Sequence, residues 1–137
     1  MAAQRASPSR ACRRRSPRAS VIAFRSALVI TLLVILFLAT TRQSIPVAED
    51  INDKANHLLA FGALALLGDF AFPARGFGLK KFLWLLGYGV LIELIQYFLP
   101  YREASILDVM ADAAGLAIYW LCYRTLRFLP LLERRWR

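Results

Sequence analysis

The chain has 137 residues, 58% of them hydrophobic, and a mean hydropathy of +0.48, which accommodates one domain at most and excludes an ordinary soluble fold. The net charge of +9 and the pI near 10.4 are typical of nucleic-acid binders, but the basic residues flank apolar segments instead of forming one patch. We therefore predict an integral membrane protein that lies in the lipid bilayer, is oriented by its basic residues and has no nucleic-acid partner.

The first 20 residues are basic, with Arg13, Arg14 and Arg15 in a row and no acidic residue. Such a segment buries too little apolar surface to offset its ordering entropy, so we predict a disordered tail over 1–20. The next segment carries no charge from residue 26 to 41 and predicts a first membrane span at about 24–41. A cleaved signal peptide is the alternative, although no convincing Ala-x-Ala site follows Leu38.

Three further apolar segments follow, separated by polar or basic links. Pro46 disfavours continuous helix in the first link, and Pro73 and Pro100 end the second and third apolar segments. We predict a four-helix transmembrane domain over 21–123, with the later spans at about 55–72, 82–99 and 104–123, and a basic tail at 124–137.

Lysine and arginine concentrate on one side of this arrangement. The N-terminal region, the turn at 75–81 and the C-terminal tail contain 15 of the 18 basic residues. Because cytoplasmic loops carry the excess of Lys and Arg, that side is expected inside the cell. The predicted fold class is an all-α, polytopic membrane protein: a four-helix bundle with both termini cytoplasmic and the links at 42–54 and 101–103 outside.

Polar side chains recur within the apolar segments, where charge is costly and usually functional. Residues spaced three or four apart share one helix face, and the predicted topology places three such pairs in the outer leaflet: Asp53 with His57, Glu93 with Gln96, and Asp108 with Asp112. We predict that these faces meet in a pocket open to the outside, with Arg102 in the turn above it.

Several of these polar residues also have structural interpretations. Gln96 could join two helices by a hydrogen bond, and Lys54 could extend to the interface or pair with a carboxylate. We interpret Asp69 and Glu103, at span ends, as interfacial charges without a special role. The carboxylates at 93, 108 and 112 repel one another at depth, which favours a site over a purely structural role.

The same residues carry a resemblance to a known family. The run Asp53-Lys54-Ala55-Asn56-His57, then Glu93-Leu94-Ile95-Gln96, then Arg102, Ser105, Asp108, Asp112 and Gly115, resembles the VanZ-like family of small bacterial membrane proteins. The family pattern is D-K-x-x-H, E-x-x-Q and R-x-x-S-x-x-D-x-x-x-N-x-x-G, and the resemblance covers roughly 50–123. Asp112 departs from it, because Asn is expected there. The resemblance implies a multi-pass protein of the bacterial cytoplasmic (inner) membrane and cell envelope, in a family named after a protein associated with resistance to the glycopeptide antibiotic teicoplanin.

Three functions remain open. The first is binding of a lipid-linked cell-wall precursor or a glycopeptide, with Arg102 holding a phosphate or carboxylate; the ligand-binding residues are then Asp53, Lys54, Gln96, Arg102, Ser105 and Asp112. The second is an intramembrane hydrolase or transferase with catalytic residues His57, Glu93 and Asp108. The third is a structural bundle that associates with a partner membrane protein.

The sequence requires no cofactor and assigns no metal ligand. A divalent cation such as Mg²⁺ or Ca²⁺ is one option for the enzyme, because the oxygens of Asp108, Asp112 and Glu93 suit hard cations. The oligomeric state is left open, as is any role in antibiotic resistance.

Overall fold

The computed structural model describes residues 17–42, 51–74 and 76–126, and the regular structure within them is entirely α-helical. The helices are α1 (Pro17–Thr40), α2 (Ile51–Ala71), α3 (Leu79–Tyr97) and α4 (Ile106–Leu126). The all-α prediction is confirmed, and the helices match the predicted spans in order. The predicted disordered tail is wrong for residues 17–20, which form the start of α1, and the predicted C-terminal tail begins within α4. The remainder of both tails lies outside the described residues.

The helix ends follow local chemistry. Ser105 precedes α4, and its hydroxyl accepts a hydrogen bond from the Leu107 N–H at 3.2 Å, as an N-cap residue does. Gly78 precedes α3 in an extended conformation, and after its end the Phe98 N–H donates to the Ile95 carbonyl and the Leu99 N–H to the Gln96 carbonyl. α2 begins at residue 51, four residues before the predicted span, so that Asp53 lies within its first turn.

α2 and α4 pack together and run in the same direction. Contacts later in α2 are made with residues later in α4. His57 contacts Asp112, Leu58 and Gly62 lie against Gly115, and Asp69 accepts a hydrogen bond from Tyr119 towards the far end. A Cβ on Gly115 would collide with the Leu58 carbonyl, so this glycine permits the close approach of the two backbones.

The buried core lies between these two helices and α3. Its fully enclosed members are apolar side chains from the middle of each helix, and α1 adds one buried leucine: Phe61, Leu64, Ala65, Leu85, Ile92, Leu116 and Leu28. Many large apolar side chains face outward instead, among them Phe37, Leu59 and Trp84.

Two of the helices are long and apolar enough to cross a membrane, by length and composition alone: Arg18–Thr40 and Ile106–Thr125. α2 and α3 are of similar length, but Asp53, Lys54 and Asp69 in the one and Lys80, Lys81 and Glu93 in the other lower their hydropathy. The number of helices agrees with the four-span prediction and two of them are candidate spans, whereas the membrane location and the orientation stay predictions.

Candidate functional site

One end of the bundle gathers ionisable side chains from three helices. We call these residues the polar cluster: Asp53 and His57 at the start of α2, Glu93 near the end of α3, and Asp108 and Asp112 at the start of α4. The start of α2, the start of α4 and the end of α3 lie at the same end, so residues distant in the chain become neighbours.

His57 and Asp112 form the closest contact in the polar cluster. His57 Nδ1 lies 2.9 Å from Asp112 Oδ1, and the side chains are 14% and 0% exposed. Because a carboxylate oxygen accepts hydrogen bonds, Nδ1 is assigned as the donor, and in the neutral imidazole this leaves the lone pair of Nε2 available. The enclosed Asp112 therefore fixes both the orientation and the tautomer of the imidazole.

Asp53 and Asp108 lie beside the same imidazole. Asp53, His57 and Asp108 each offer one ligand atom, and these three atoms all lie within 4.8 Å of one another. Asp53 is exposed and Asp108 is buried, so the group extends from the surface into the bundle. The structure thus brings together two of the predicted pairs, one from α2 and one from α4.

Glu93 joins the polar cluster from α3. Its Oε2 accepts a hydrogen bond from the Ser105 N–H at 2.8 Å, which ties the end of α3 to the start of α4. Its Oε1, like Asp112 Oδ2, is buried without a hydrogen-bond partner among the described residues. Buried carboxylate oxygens are rarely left unpaired because their desolvation is costly, so these two atoms mark positions where a donor or a cation would be stabilising.

Gln96 and Arg102 face a different neighbour from the polar cluster. Gln96 Nε2 donates to the Ala39 carbonyl at 3.1 Å, and one Arg102 nitrogen, Nη2, donates to Leu38 and Thr41 at 2.8 and 3.0 Å. Both side chains therefore satisfy carbonyls at the end of α1 that the helix itself leaves unpaired. Glu93 and Gln96 share a helix face as expected, but one contacts α4 and the other contacts α1.

Two further predicted residues flank the site. Lys54 is half-buried next to Asp53 in the first turn of α2, and it lies within electrostatic range of Asp108. Ser105 is also half-buried, and its backbone N–H and hydroxyl are used by Glu93 and Leu107 respectively.

A glycine that faces the polar cluster makes room for Asp112. A Cβ on Gly89 of α3 would collide with Asp112 Oδ2 and would lie 3.0 Å from the Phe61 ring. Gly87, two residues earlier, has open space at the same position. A glycine in an apolar helix suggests close packing of backbones, but its spacing does not reveal that Gly89 makes room for a carboxylate.

The interpretation of Asp69 as an interfacial charge is wrong. Asp69 is 3% exposed, and it accepts hydrogen bonds from Lys81 Nζ at 3.2 Å and from the Tyr119 hydroxyl at 3.1 Å. Lys81 also donates to the Phe72 carbonyl, at 2.9 Å, across the turn between α2 and α3. The position of Lys81, just beyond that turn, was the feature of the sequence that could have indicated an ion pair with Asp69. Glu103 is exposed, as expected.

The sequence model of the family described as VanZ/LLP1 matches residues 7–127, which is most of the chain. The chain belongs to the VanZ/LLP1 family. The resemblance found in the sequence is thereby confirmed, over a longer stretch than the polar motifs alone cover. Comparisons with curated proteins and with solved structures found no significant match.

In this VanZ/LLP1 protein, Asp112, which departs from the family motif, forms a hydrogen bond with His57. Asp112 accepts its hydrogen bond from His57 through a single oxygen, and an asparagine carbonyl oxygen could accept the same bond. The departure therefore adds a negative charge without removing the hydrogen bond. Chemically, the polar cluster offers an oriented imidazole and several carboxylate acceptors, with two of the carboxylate oxygens unpaired among the described residues.

Proposed function

We propose that this VanZ/LLP1 protein is a multi-pass membrane protein of the bacterial cell envelope that binds the headgroup of a lipid-linked cell-wall precursor at the polar cluster. The observation that carries the proposal is the buried Glu93 Oε1, which has no partner among the described residues. The headgroup of such a lipid contains sugar hydroxyls and amide N–H groups, which are the hydrogen-bond donors that this acceptor lacks.

The outer surface of the bundle supports a lipid environment. Large apolar side chains such as Phe37, Leu59 and Ile106 are more than half exposed, and they occur on all four helices. Exposed apolar patches of this extent are costly in water and ordinary in lipid. The basic residues that flank the apolar segments favour a cytoplasmic location for both termini, with the polar cluster on the outer side.

Two basic side chains, Lys54 beside the polar cluster and Arg102 between α3 and α4, suit the phosphate of the precursor. Arg102 uses Nη2 to hold the end of α1, while its Nε and Nη1 make no hydrogen bond to any described residue. Lys54 approaches the site from the first turn of α2. Arg102 and Lys54 would contact the phosphate oxygens, and the carboxylates would contact the sugar.

The test is binding of a polyprenyl-diphosphate-linked disaccharide to the full chain in neutral phosphatidylcholine nanodiscs. Glu93→Gln retains a carbonyl oxygen for the Ser105 N–H but replaces the unpaired acceptor with an N–H donor, so we expect binding to weaken at least about tenfold, the equivalent of about 1.4 kcal/mol. Native mass spectrometry of the intact nanodiscs measures the bound fraction.

Asp69→Asn is the matched control, because Asp69 is also buried and hydrogen-bonded but lies at the other end of the bundle. It should lower thermal stability and leave binding unchanged. Equal binding by the wild type and Glu93→Gln, or no binding by the wild type, would contradict the proposal.

The His57–Asp112 contact favours a second candidate, an intramembrane hydrolase that uses His57 as general base. A carboxylate that holds the imidazole tautomer is the arrangement such a base requires. The same nanodiscs test it, because hydrolysis of the diphosphate bond of the probe by water, which gives polyprenyl phosphate and disaccharide 1-phosphate, would have to disappear in His57→Gln and persist in Asp69→Asn. If the probe binds but is not hydrolysed, the hydrolase candidate is contradicted and the binding function stands.

A further inference from the structure

We infer that Asp53, His57 and Asp108 bind one divalent transition-metal ion, of the chemical class of Zn²⁺ or Mn²⁺. Their three ligand atoms lie within 4.8 Å of one another. In a tetrahedral site the ligands of a zinc ion lie about 2.0–2.2 Å from it and about 3.3–3.6 Å from one another. Side-chain movements of about 1.5 Å or less would therefore complete the site.

The surroundings of these three residues supply the independent support. Glu93 is only 7% exposed, its Oε1 has no hydrogen-bond partner among the described residues, and the side chain lies within electrostatic range of His57 and Asp108. Asp112 is fully buried and adds a fourth carboxylate. Several carboxylates in a low-dielectric setting repel one another, and a cation removes that repulsion.

The orientation of His57 selects the atom that would bind the metal. Nδ1 donates to Asp112, so Nε2 is the nitrogen available to an ion. A carboxylate on the far nitrogen is the usual support of a metal-bound histidine, because it fixes the ring and raises its basicity. Asp112 is therefore a positioning residue that would act through His57.

The donor set selects the class of ion. One imidazole nitrogen with two carboxylates suits Zn²⁺ or Mn²⁺, whereas Mg²⁺ and Ca²⁺ prefer oxygen ligands alone. The set expected from the sequence, Asp108 with Asp112 and Glu93, is less suitable because Asp112 Oδ1 bonds His57 and Glu93 Oε2 bonds Ser105.

Three protein ligands leave at least one coordination position open. A phosphate oxygen of the precursor would fill it, and the ion would offset the repulsion between that phosphate and the carboxylates. This step rests on the proposed function, whereas the metal site itself does not.

The experiment titrates Mn²⁺ into metal-stripped full-length protein in phosphatidylcholine nanodiscs and follows it by electron paramagnetic resonance. We expect one saturable ion per chain, with ¹⁴N coupling in the pulsed spectrum from His57. Zn²⁺ should displace the ion, and His57→Gln should abolish the nitrogen coupling.

Three variants test the ligand set. Asp53→Asn changes an exposed residue, so the fold should persist while affinity falls. Asp112→Asn keeps the hydrogen bond to His57 but removes the charge, and should weaken Mn²⁺ binding by about 10–100-fold. Asp69→Asn, the control at the other end, should bind as the wild type does. Absence of saturable binding, absence of nitrogen coupling, or equal affinity in Asp53→Asn and the wild type would overturn the inference.

Repeating the titration with the lipid-linked disaccharide separates the two proposals. Mn²⁺ binding without lipid binding would leave the metal site standing and remove the proposed function. Lipid binding by a protein that binds no metal would leave the proposed function standing and remove the metal site. If both hold, chelation should weaken lipid binding, and added Zn²⁺ should restore it.

Discussion

At the scale of single residues, Gly89 determines whether Asp112 can occupy its buried position. Its missing Cβ leaves the space that Asp112 Oδ2 and the edge of Phe61 occupy. We expect Gly89→Ala to displace the Asp112 carboxylate, break its contact with His57 and lower the free energy of unfolding by about 1–3 kcal/mol. Thermal denaturation in detergent measures the loss, and the Mn²⁺ titration measures the effect on the polar cluster.

Gly87→Ala is the matched control for this prediction. Gly87 lies on the same helix with open space around it, and replacing a helical glycine with alanine should stabilise the protein by about 0.5–1 kcal/mol. If Gly89→Ala lowers the free energy of unfolding and Gly87→Ala raises it, the loss comes from the contact with Asp112. Stabilisation by both variants would show that α3 responds to helix propensity alone.

At the scale of elements, the turn between α2 and α3 is closed by an ion pair. Lys81 bonds Asp69 and the Phe72 carbonyl, so the start of α3 is held against the end of α2. We expect Lys81→Met to leave the buried Asp69 charge uncompensated and to cost about 3–5 kcal/mol of unfolding free energy. Denaturation of the purified chain in detergent gives this value.

Removing both charges of the pair should be less harmful than removing one. The double variant Asp69→Asn with Lys81→Met leaves no buried charge at this pair, and the amide oxygen introduced at position 69 can still accept the hydrogen bond from Tyr119. We therefore expect the double variant to be more stable than Lys81→Met alone. Additive losses would indicate that Asp69 and Lys81 act independently.

A second link between elements lies at the opposite end of α3. Gln96 and Arg102 both donate to carbonyls at the end of α1, and the Tyr101 hydroxyl donates to Thr40 at 3.1 Å. α1 has few buried side chains, so these hydrogen bonds contribute much of its attachment to α3 at this end.

At the scale of the whole molecule, the distribution of basic residues predicts the topology. We expect Glu103→Cys to react with a membrane-impermeant maleimide in intact cells, in a background with Cys12 and Cys122 replaced by serine. Lys80→Cys should react only after permeabilisation, because its turn is expected on the cytoplasmic side. Both positions are exposed in the fold, so a difference in labelling would not result from burial of either residue. The reverse labelling pattern would invert the predicted orientation.

The sequence predicted the helices and much of the polar cluster because both depend on local spacing. Asp53 with His57, and Asp108 with Asp112, share helix faces by the period of the α-helix alone. Which faces meet depends on packing between distant segments, so the contact of His57 with Asp112 and the burial of Asp69 against Lys81 were not predictable from spacing. For the same reason, spacing did not predict that Gln96 would bond α1 while Glu93 bonds Ser105, the residue before α4.

The shared direction of α2 and α4 has an electrostatic consequence for the polar cluster. Both helices begin there, and each N-terminus carries the equivalent of about half a positive charge from its aligned peptide dipoles. These dipoles and the Lys54 ammonium offset part of the negative charge of the four carboxylates. A bound cation would offset more of it, so the shared direction of α2 and α4 and the inferred ion would act on the same charges.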